Sequence, residues 1–408
     1  MQDTKKAGLP PQTRRYFFLI LAMCLAIYIG FYALLKITAF SHDPHDSYTL
    51  QAMNWWKGKA NLDHDYSYLE LAKYKDKIYV SFPPVPSVVE FALVPFFGEN
   101  TPNNLVTSIY VILSFALIVF LALKVDCGPI GAASWGGLFV IGSSLFPISM
   151  FGGIWYTAQA LCFCLLTCCV SLLYRPTPRR YFYALICFAL AIGCRPQTLF
   201  FAPALLCFTP ESFKQSFKES PKGSFKRSLE ILKYFGIPIF LCILYGLYNY
   251  IRFDSPFEFG HNYLREFQEA PLGQFNWRYM TENLGRLFRL PSYSVHTGFE
   301  FPRFDGFAFY IANPVFISLF VRLFKYRKNL DLTAWLLLLG CGVQLIFLLF
   351  HKTMGGWHFG NRYLVDMLPF IWLLILRLGP STQVLDMALS VFGVALNCYG
   401  TYYIYLTQ

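Results

Sequence analysis

Apolar residues in this chain form long continuous runs separated by polar loops, and that pattern sets its expected elements. Runs near 16–37, 105–124, 129–149, 153–174, 180–193, 196–209, 234–251, 305–324, 331–351, 363–379 and 383–404 carry few charges. Many are about 17–22 residues long, enough to cross a hydrocarbon core of about 30 Å as a helix. Period-2 alternation is scarce, which argues against a membrane β-barrel. The pattern predicts an all-α polytopic membrane protein. Runs 180–193 and 196–209 are short and flank Cys194-Arg195-Pro196, as a tilted or broken pair would. The apolar segment 84–98 is about 15 residues long and rich in proline, so it is expected to re-enter or lie at the interface. The first run is too long for a signal-peptide core and no small-residue cleavage site follows it, so it is expected to be retained.

Composition agrees. The chain is 56% hydrophobic, 19% aromatic and 14% charged, whereas soluble domains carry about 25% charged residues. The net charge of +11 does not point to nucleic acid, because lysine and arginine gather in short loops as the positive-inside rule expects. With Lys5, Lys6, Arg14 and Arg15 inside, the inner loops are 175–180, a basic loop at 210–233, and 322–328. The outer face then receives two long loops, about 38–104 and 252–304, within one membrane-embedded domain over 1–408. All seven histidines (His42, His45, His64, His261, His296, His351, His358) fall on that outer face. Chemistry is therefore expected on one side of the membrane, the periplasmic or extracellular side of a bacterial cytoplasmic membrane. Most of the twelve cysteines lie inside spans as small apolar residues, and no Cys/His spacing resembles a zinc site.

Five outer segments carry candidate chemistry. The first is Ser41-His42-Asp43-Pro44-His45-Asp46, two carboxylates and two imidazoles where the first run leaves the bilayer. A helix lying in the interface is expected after it, with Trp55 and Trp56 at head-group depth. Asp46 is placed either as a proton acceptor or as that helix's N-cap, and both readings stay open. Next come Phe151-Gly-Gly-Ile-Trp-Tyr156, where paired glycines permit close approach or simple packing, and Arg195, a costly cation near membrane depth. Arg252, Glu258 and His261 alternate with aromatics in the fourth segment, which suits sugar recognition. In the last, His358 and Arg362 follow a glycine pair, and a guanidinium there can fork onto a phosphate.

These segments, taken in order, resemble the GT-C superfamily of integral membrane glycosyltransferases, specifically bacterial multispanning members that use polyprenyl-phosphate sugars. The resemblance covers nearly the whole chain. It rests on an acidic first outer loop with Ala52-x-x-x-x-x-Gly58, Phe82-Pro-Pro-x-Pro86 and Arg195-Pro196. Arg252-Phe-x-x-Pro-x-Glu-Phe-Gly260 and Phe359-Gly-x-Arg-Tyr363 complete the set. The resemblance implies a bundle of about 11–12 transmembrane helices with interfacial helices in the first outer loop. It also implies transfer of a sugar, with inversion, from a polyprenyl-phosphate donor to a lipid- or glycan-type acceptor of the cell envelope. An acidic residue of the first outer loop would act as base, Asp46 by position, with Asp43 the alternative. Arg195 and Arg362, helped by His358, would hold phosphate; Arg252, Glu258 and His261 would hold sugar or acceptor. Where many members carry Asp-Glu or Asp-x-x-Tyr, this chain has two aspartates three apart. No metal ligand set is assigned, and a divalent cation is compatible with the acidic loop. The competing reading is a transporter or flippase of a lipid-linked saccharide. Such proteins show internal repeats and ionisable groups at the midplane, and neither is evident. A glycan ligase or polymerase is the nearest alternative within the enzyme class, and a purely structural membrane protein would have no use for one-sided histidines.

Overall fold

Where glycine and proline interrupt the apolar runs, helices stop or bend; where they do not, helices run through. The computed structural model describes residues 8–219, 225–379 and 383–407. Residues 220–224 of the expected basic loop, and Lys5 and Lys6, lie outside the described residues. In chain order the elements begin with α1 (Pro11–Leu35), α2 (Ser47–Trp56), a hairpin β1 (Leu71–Tyr74) and β2 (Lys77–Val80), and α3 (Val85–Phe97). There follow α4 (Asn103–Lys124), α5 (Gly128–Gly136), α6 (Leu145–Ile148), α7 (Ile154–Leu173), α8 (Pro178–Ile192), α9 (Ala202–Leu206) and α10 (Glu211–Glu219). The long α11 (Phe225–Phe253) leads into an outer loop with α12 (Arg265–Gln268), α13 (Met280–Phe288) and the hairpin β3 (Ser292–Ser294) and β4 (Gly298–Glu300). The chain ends with α14 (Phe309–Ala312), α15 (Val315–Lys325), α16 (Leu332–Leu349), α17 (Leu368–Leu378) and α18 (Val384–Leu406).

Among the described residues, six helices are long and apolar enough to cross a membrane: α1, α4, α7, α11, α16 and α18. The remaining expected spans are built from shorter pieces. The run 129–149, expected as one helix, is α5, a π-helical turn (Gly137–Ile141) and α6. Glycine at the end of this turn lets α18 pack close, since a Cβ at Gly142 would sit 3.0 Å from the backbone carbon of Gly393. The run 305–324 is likewise split at Asn313-Pro314, because proline cannot continue α14. Between α8 and α9 the segment Pro196–Phe201 is a 3-10 turn, the expected broken pair. Helix α3 has 13 residues, about 20 Å at 1.5 Å per residue, and is too short to cross. It packs on α2, as an interfacial element would.

Helix α7 forms the middle of the bundle, packed against α4 and α8. Cross-links show which helix ends share one side. Ile154 donates to the His45 carbonyl (3.1 Å), Asn276 to the Phe350 carbonyl (2.8 Å), and Arg195 to Asp366 (2.8 Å). Gln51 donates to the Tyr248 hydroxyl at 2.8 Å, and Arg303 reaches the Thr407 hydroxyl at 3.0 Å. The two long loops therefore converge at one end. At the other end Arg377 pairs with Asp331 and Arg180 with the Ser171 carbonyl (2.6 Å). Arg322, expected in an inner loop, instead lies buried on α15 and grips Asp386 of α18 with two 2.8 Å bonds. A buried arginine needs such a bidentate partner, because desolvation is otherwise uncompensated.

Candidate active site

The 42–46 stretch is folded by its own hydrogen bonds. Asp46 caps α2: one oxygen accepts from the Tyr48 amide (2.9 Å), the other from the Thr49 amide (3.3 Å), the Thr49 hydroxyl (2.6 Å) and Asn103 Nδ2 (2.7 Å). It is 1% exposed, and burial raises its carboxyl above the ordinary range against those bonds. Asp43 accepts from the His45 amide (2.9 Å) and faces the His45 ring at 3.3 Å, while its own amide donates to Asn103 Oδ1 (2.8 Å). Asn104 then joins Ser41 (2.9 Å) to the Gly152 amide (2.6 Å). Two asparagines at the start of α4 thus staple this stretch to the bundle. Neither Asp43 nor Asp46 lines a cavity described below.

The other segments meet around two adjoining chambers. The first, about 360 Å³, is lined by Arg195, Gln197, Glu258, Asn262 and Gln274. The second, about 320 Å³, is lined by Glu70, Tyr156, Glu266, Phe304 and Trp357. Six residues belong to both walls: Phe82, Trp155, His261, His351, Arg362 and Tyr363. Beside the first chamber a groove of about 880 Å³ runs along α8, α9 and α11, sharing Pro196, Phe257 and Phe259 with it. Among the described residues, no charged side chain lines that groove.

Arg362 is the most exacting feature. It is 4% exposed, and its Nε and one terminal nitrogen both donate to the Gly355 carbonyl (2.8 and 2.6 Å). Among the described residues, the other terminal nitrogen has no hydrogen bond and no carboxylate pairs with it. The loop around it needs glycine. Gly355, Gly356 and Gly360 have φ of +119°, +67° and +81°, a region costly for other residues. Asp305 fastens the loop by accepting from the Met354 amide (2.9 Å) and the Gly356 amide (3.3 Å). A buried guanidinium with a free donor and no counter-charge is a ready anion site. Arg195 differs, since its Nε donates to the buried Asp366.

The remaining expected residues are placed as follows. Glu258 lines the first chamber but accepts from the Gly260 amide and from Asn262, both at 2.6 Å. His261 lies on the shared wall, pushed down to about 3 by burial and then by His351 and Arg195. His358 is buried and lines neither chamber; burial and Arg362 hold it down to about 3. Arg252 also lines neither. It ties α11 to the β2 end through the Val80 carbonyl (2.6 Å) and Asn249 (2.9 Å), under cation–π contact with Tyr248.

Glu70, Asp366 and His351 were not singled out by sequence. Glu70 receives the Trp155 indole N–H at 2.9 Å on Oε2, and Oε1 accepts no hydrogen bond among the described residues. Burial raises this carboxyl, opposed by Trp155, aided by Glu266 and opposed by Arg362. His351 is pushed down to about 4, chiefly by burial, so three neutral imidazoles surround the arginines. The one available clue was Asp366, a lone carboxylate in an apolar run. Among the described residues, no three His, Cys, Asp or Glu side chains gather as a metal site.

The fold is similar to that of solved membrane glycosyltransferases of the GT-C type. The chain matches the crystal structure of ArnT from Cupriavidus metallidurans bound to undecaprenyl phosphate, with a TM-score of 0.53 and 12% identity, over 93% of this chain and 62% of that one. It also matches the Archaeoglobus fulgidus oligosaccharyltransferase in its apo form, with a TM-score of 0.50 and 13% identity, over 95% and 55%. This chain therefore spans less than two thirds of either protein. No family model matches it, and no curated protein matches it by sequence.

Proposed function

We propose that this protein transfers a sugar from a polyprenyl-phosphate donor to a hydroxyl-bearing envelope acceptor, on the outer face of the membrane. The observation that carries this reading is the junction of a cationic chamber with an uncharged apolar groove. Such a junction suits a ligand with an anionic head and a long apolar tail. The undecaprenyl phosphate bound by ArnT, which shares the fold, supports the same ligand class. The phosphate lies between Arg195 and Arg362, and the prenyl tail follows α8 and α11.

The acceptor enters the second chamber, whose aromatic walls suit sugar faces. Glu70 Oε1 takes the acceptor's hydroxyl proton. The acceptor oxygen bonds to the anomeric carbon as the carbon–oxygen bond to phosphate breaks, with inversion, and the electron pair leaves on the phosphate. Arg362 and Arg195 stabilise that charge as it develops. This reading prefers Glu70 over Asp46 as base because Glu70 keeps an unoccupied oxygen at a chamber wall, whereas both Asp46 oxygens are engaged in capping. A base must reach the proton within about 2.6–3.2 Å.

The test uses purified protein in nanodiscs with a panel of undecaprenyl-phosphate sugars, following release of undecaprenyl phosphate. Arg362→Ala is expected to slow release by about 10²–10³-fold. Unchanged release in that variant, or none with any donor and acceptor in the wild type, would overturn the proposal.

A further inference from the structure

Asp366 is fully buried one 3-10 turn beyond Arg362. Three side chains from two other elements converge on it. Oδ2 accepts from Arg195 Nε (2.8 Å) and Gln197 Nε2 (3.1 Å), and Oδ1 from Gln159 Nε2 (3.0 Å). The same Gln159 amide donates to the Arg362 carbonyl at 2.5 Å. One carboxylate therefore ties α7, the 195–197 turn and the segment carrying Arg362 into a single unit.

The way Arg195 is held is informative. A carboxylate and a guanidinium commonly pair through two parallel bonds, but here only Nε is engaged. The two terminal nitrogens of Arg195 donate no hydrogen bond within the described residues, and the residue lines the first chamber. Tyr363 lies under the guanidinium with its ring centre 5.0 Å away, which restricts its tilt. Arg195 is thus fixed at its inner nitrogen and left with both outer nitrogens available.

We infer that Asp366 is a positioning residue: it aims the terminal nitrogens of Arg195 at the ligand's phosphate, paired with the guanidinium but without contact of its own to the ligand. The two arginines then divide the work. Arg195 contributes direction with its charge largely balanced, and Arg362 contributes the unbalanced charge. This inference rests on the phosphate-binding reading above. Asp366→Asn is the informative replacement, since its amide keeps the shape but removes the charge that holds Arg195 and turns one of two acceptor positions into a donor.

The experiment measures affinity for undecaprenyl phosphate in nanodiscs for wild type, Asp366→Asn, Arg195→Ala and the double variant. Each single change is expected to weaken binding about tenfold. The double variant is expected to be no weaker than Arg195→Ala, because Asp366 acts only through that side chain. Additive losses would mean that Asp366 merely supports the fold, and would overturn the inference. Should Asp366→Asn not purify, Arg195→Lys decides. Lysine keeps the buried carboxylate paired but, as one nitrogen on a flexible stem, lacks the rigid planar fork that Asp366 would aim at phosphate, so unimpaired affinity would sink the idea. Should the wild type bind no lipid phosphate, the phosphate reading fails on its own. Cryo-EM maps of wild type and Asp366→Asn then decide the positioning claim, which an unmoved Arg195 guanidinium would refute.

Discussion

Asp46 and Glu70 belong to the same outer loop, and burial raises both carboxyls, yet their surroundings treat them in opposite ways. Four donors close on Asp46, which begins a helix and touches no chamber. A single indole N–H orients Glu70 and leaves its second oxygen at a chamber wall. Position after a span made the first conspicuous. Unused bonding capacity makes the second the better candidate for acid–base work, because an oxygen already accepting three bonds, two of them short, has little left to offer a substrate.

Glu70→Gln should reduce turnover by about 10²–10⁴-fold, the usual contribution of a general base, with donor affinity retained. Full turnover in that variant would return the search to the 42–46 stretch. Asp46→Ala should instead lower stability, by about 0.5–2 kcal/mol for a lost cap, read as a reduced midpoint of thermal unfolding. Its turnover per folded molecule should hold; lost turnover at unchanged stability would reverse the two roles.

A finer test uses pH. Because the Glu70 carboxyl is raised, it stays protonated to a higher pH than a free glutamate near about 4.3. The rate should fall as pH drops through that raised value, and Glu70→Gln should erase this limb. Trp155→Phe removes a bond that favours the charged form, so the limb should move to higher pH, with only a small change in the maximal rate. A limb that moves lower, or stays put, would show that the indole does not govern Glu70.

Much of the architecture was legible from hydropathy. The six long helices fall on expected runs, and the two long loops gather at one end of the bundle. Arg195, Arg362, Glu258 and His261 were recognised and do line the chambers. What escaped were pairings across long separations. Arg195 meets Asp366 171 positions away, and Glu70 meets Trp155 85 positions away. Local pattern carries no information on such partners. Arg252 illustrates the reverse: a cation among aromatics suggests a ligand, but both of its terminal nitrogens are used on the Val80 carbonyl and Asn249. The breaks inside 129–149 and 305–324 escaped because hydropathy averages over the glycines and prolines that lie at them.

Helix α11, which forms one side of the groove, is mostly exposed along its apolar length. A prenyl chain following that face would reach the arginines by sliding sideways within its leaflet, without first entering water. The quantity that governs such a reaction is the mole fraction of donor in the bilayer, not its molarity in the tube. Adding inert phospholipid should slow the protein by surface dilution, while doubling the buffer volume should leave the rate per protein unchanged. Its working environment is a two-dimensional solvent, and rates measured in micelles will reflect how detergent partitions the donor.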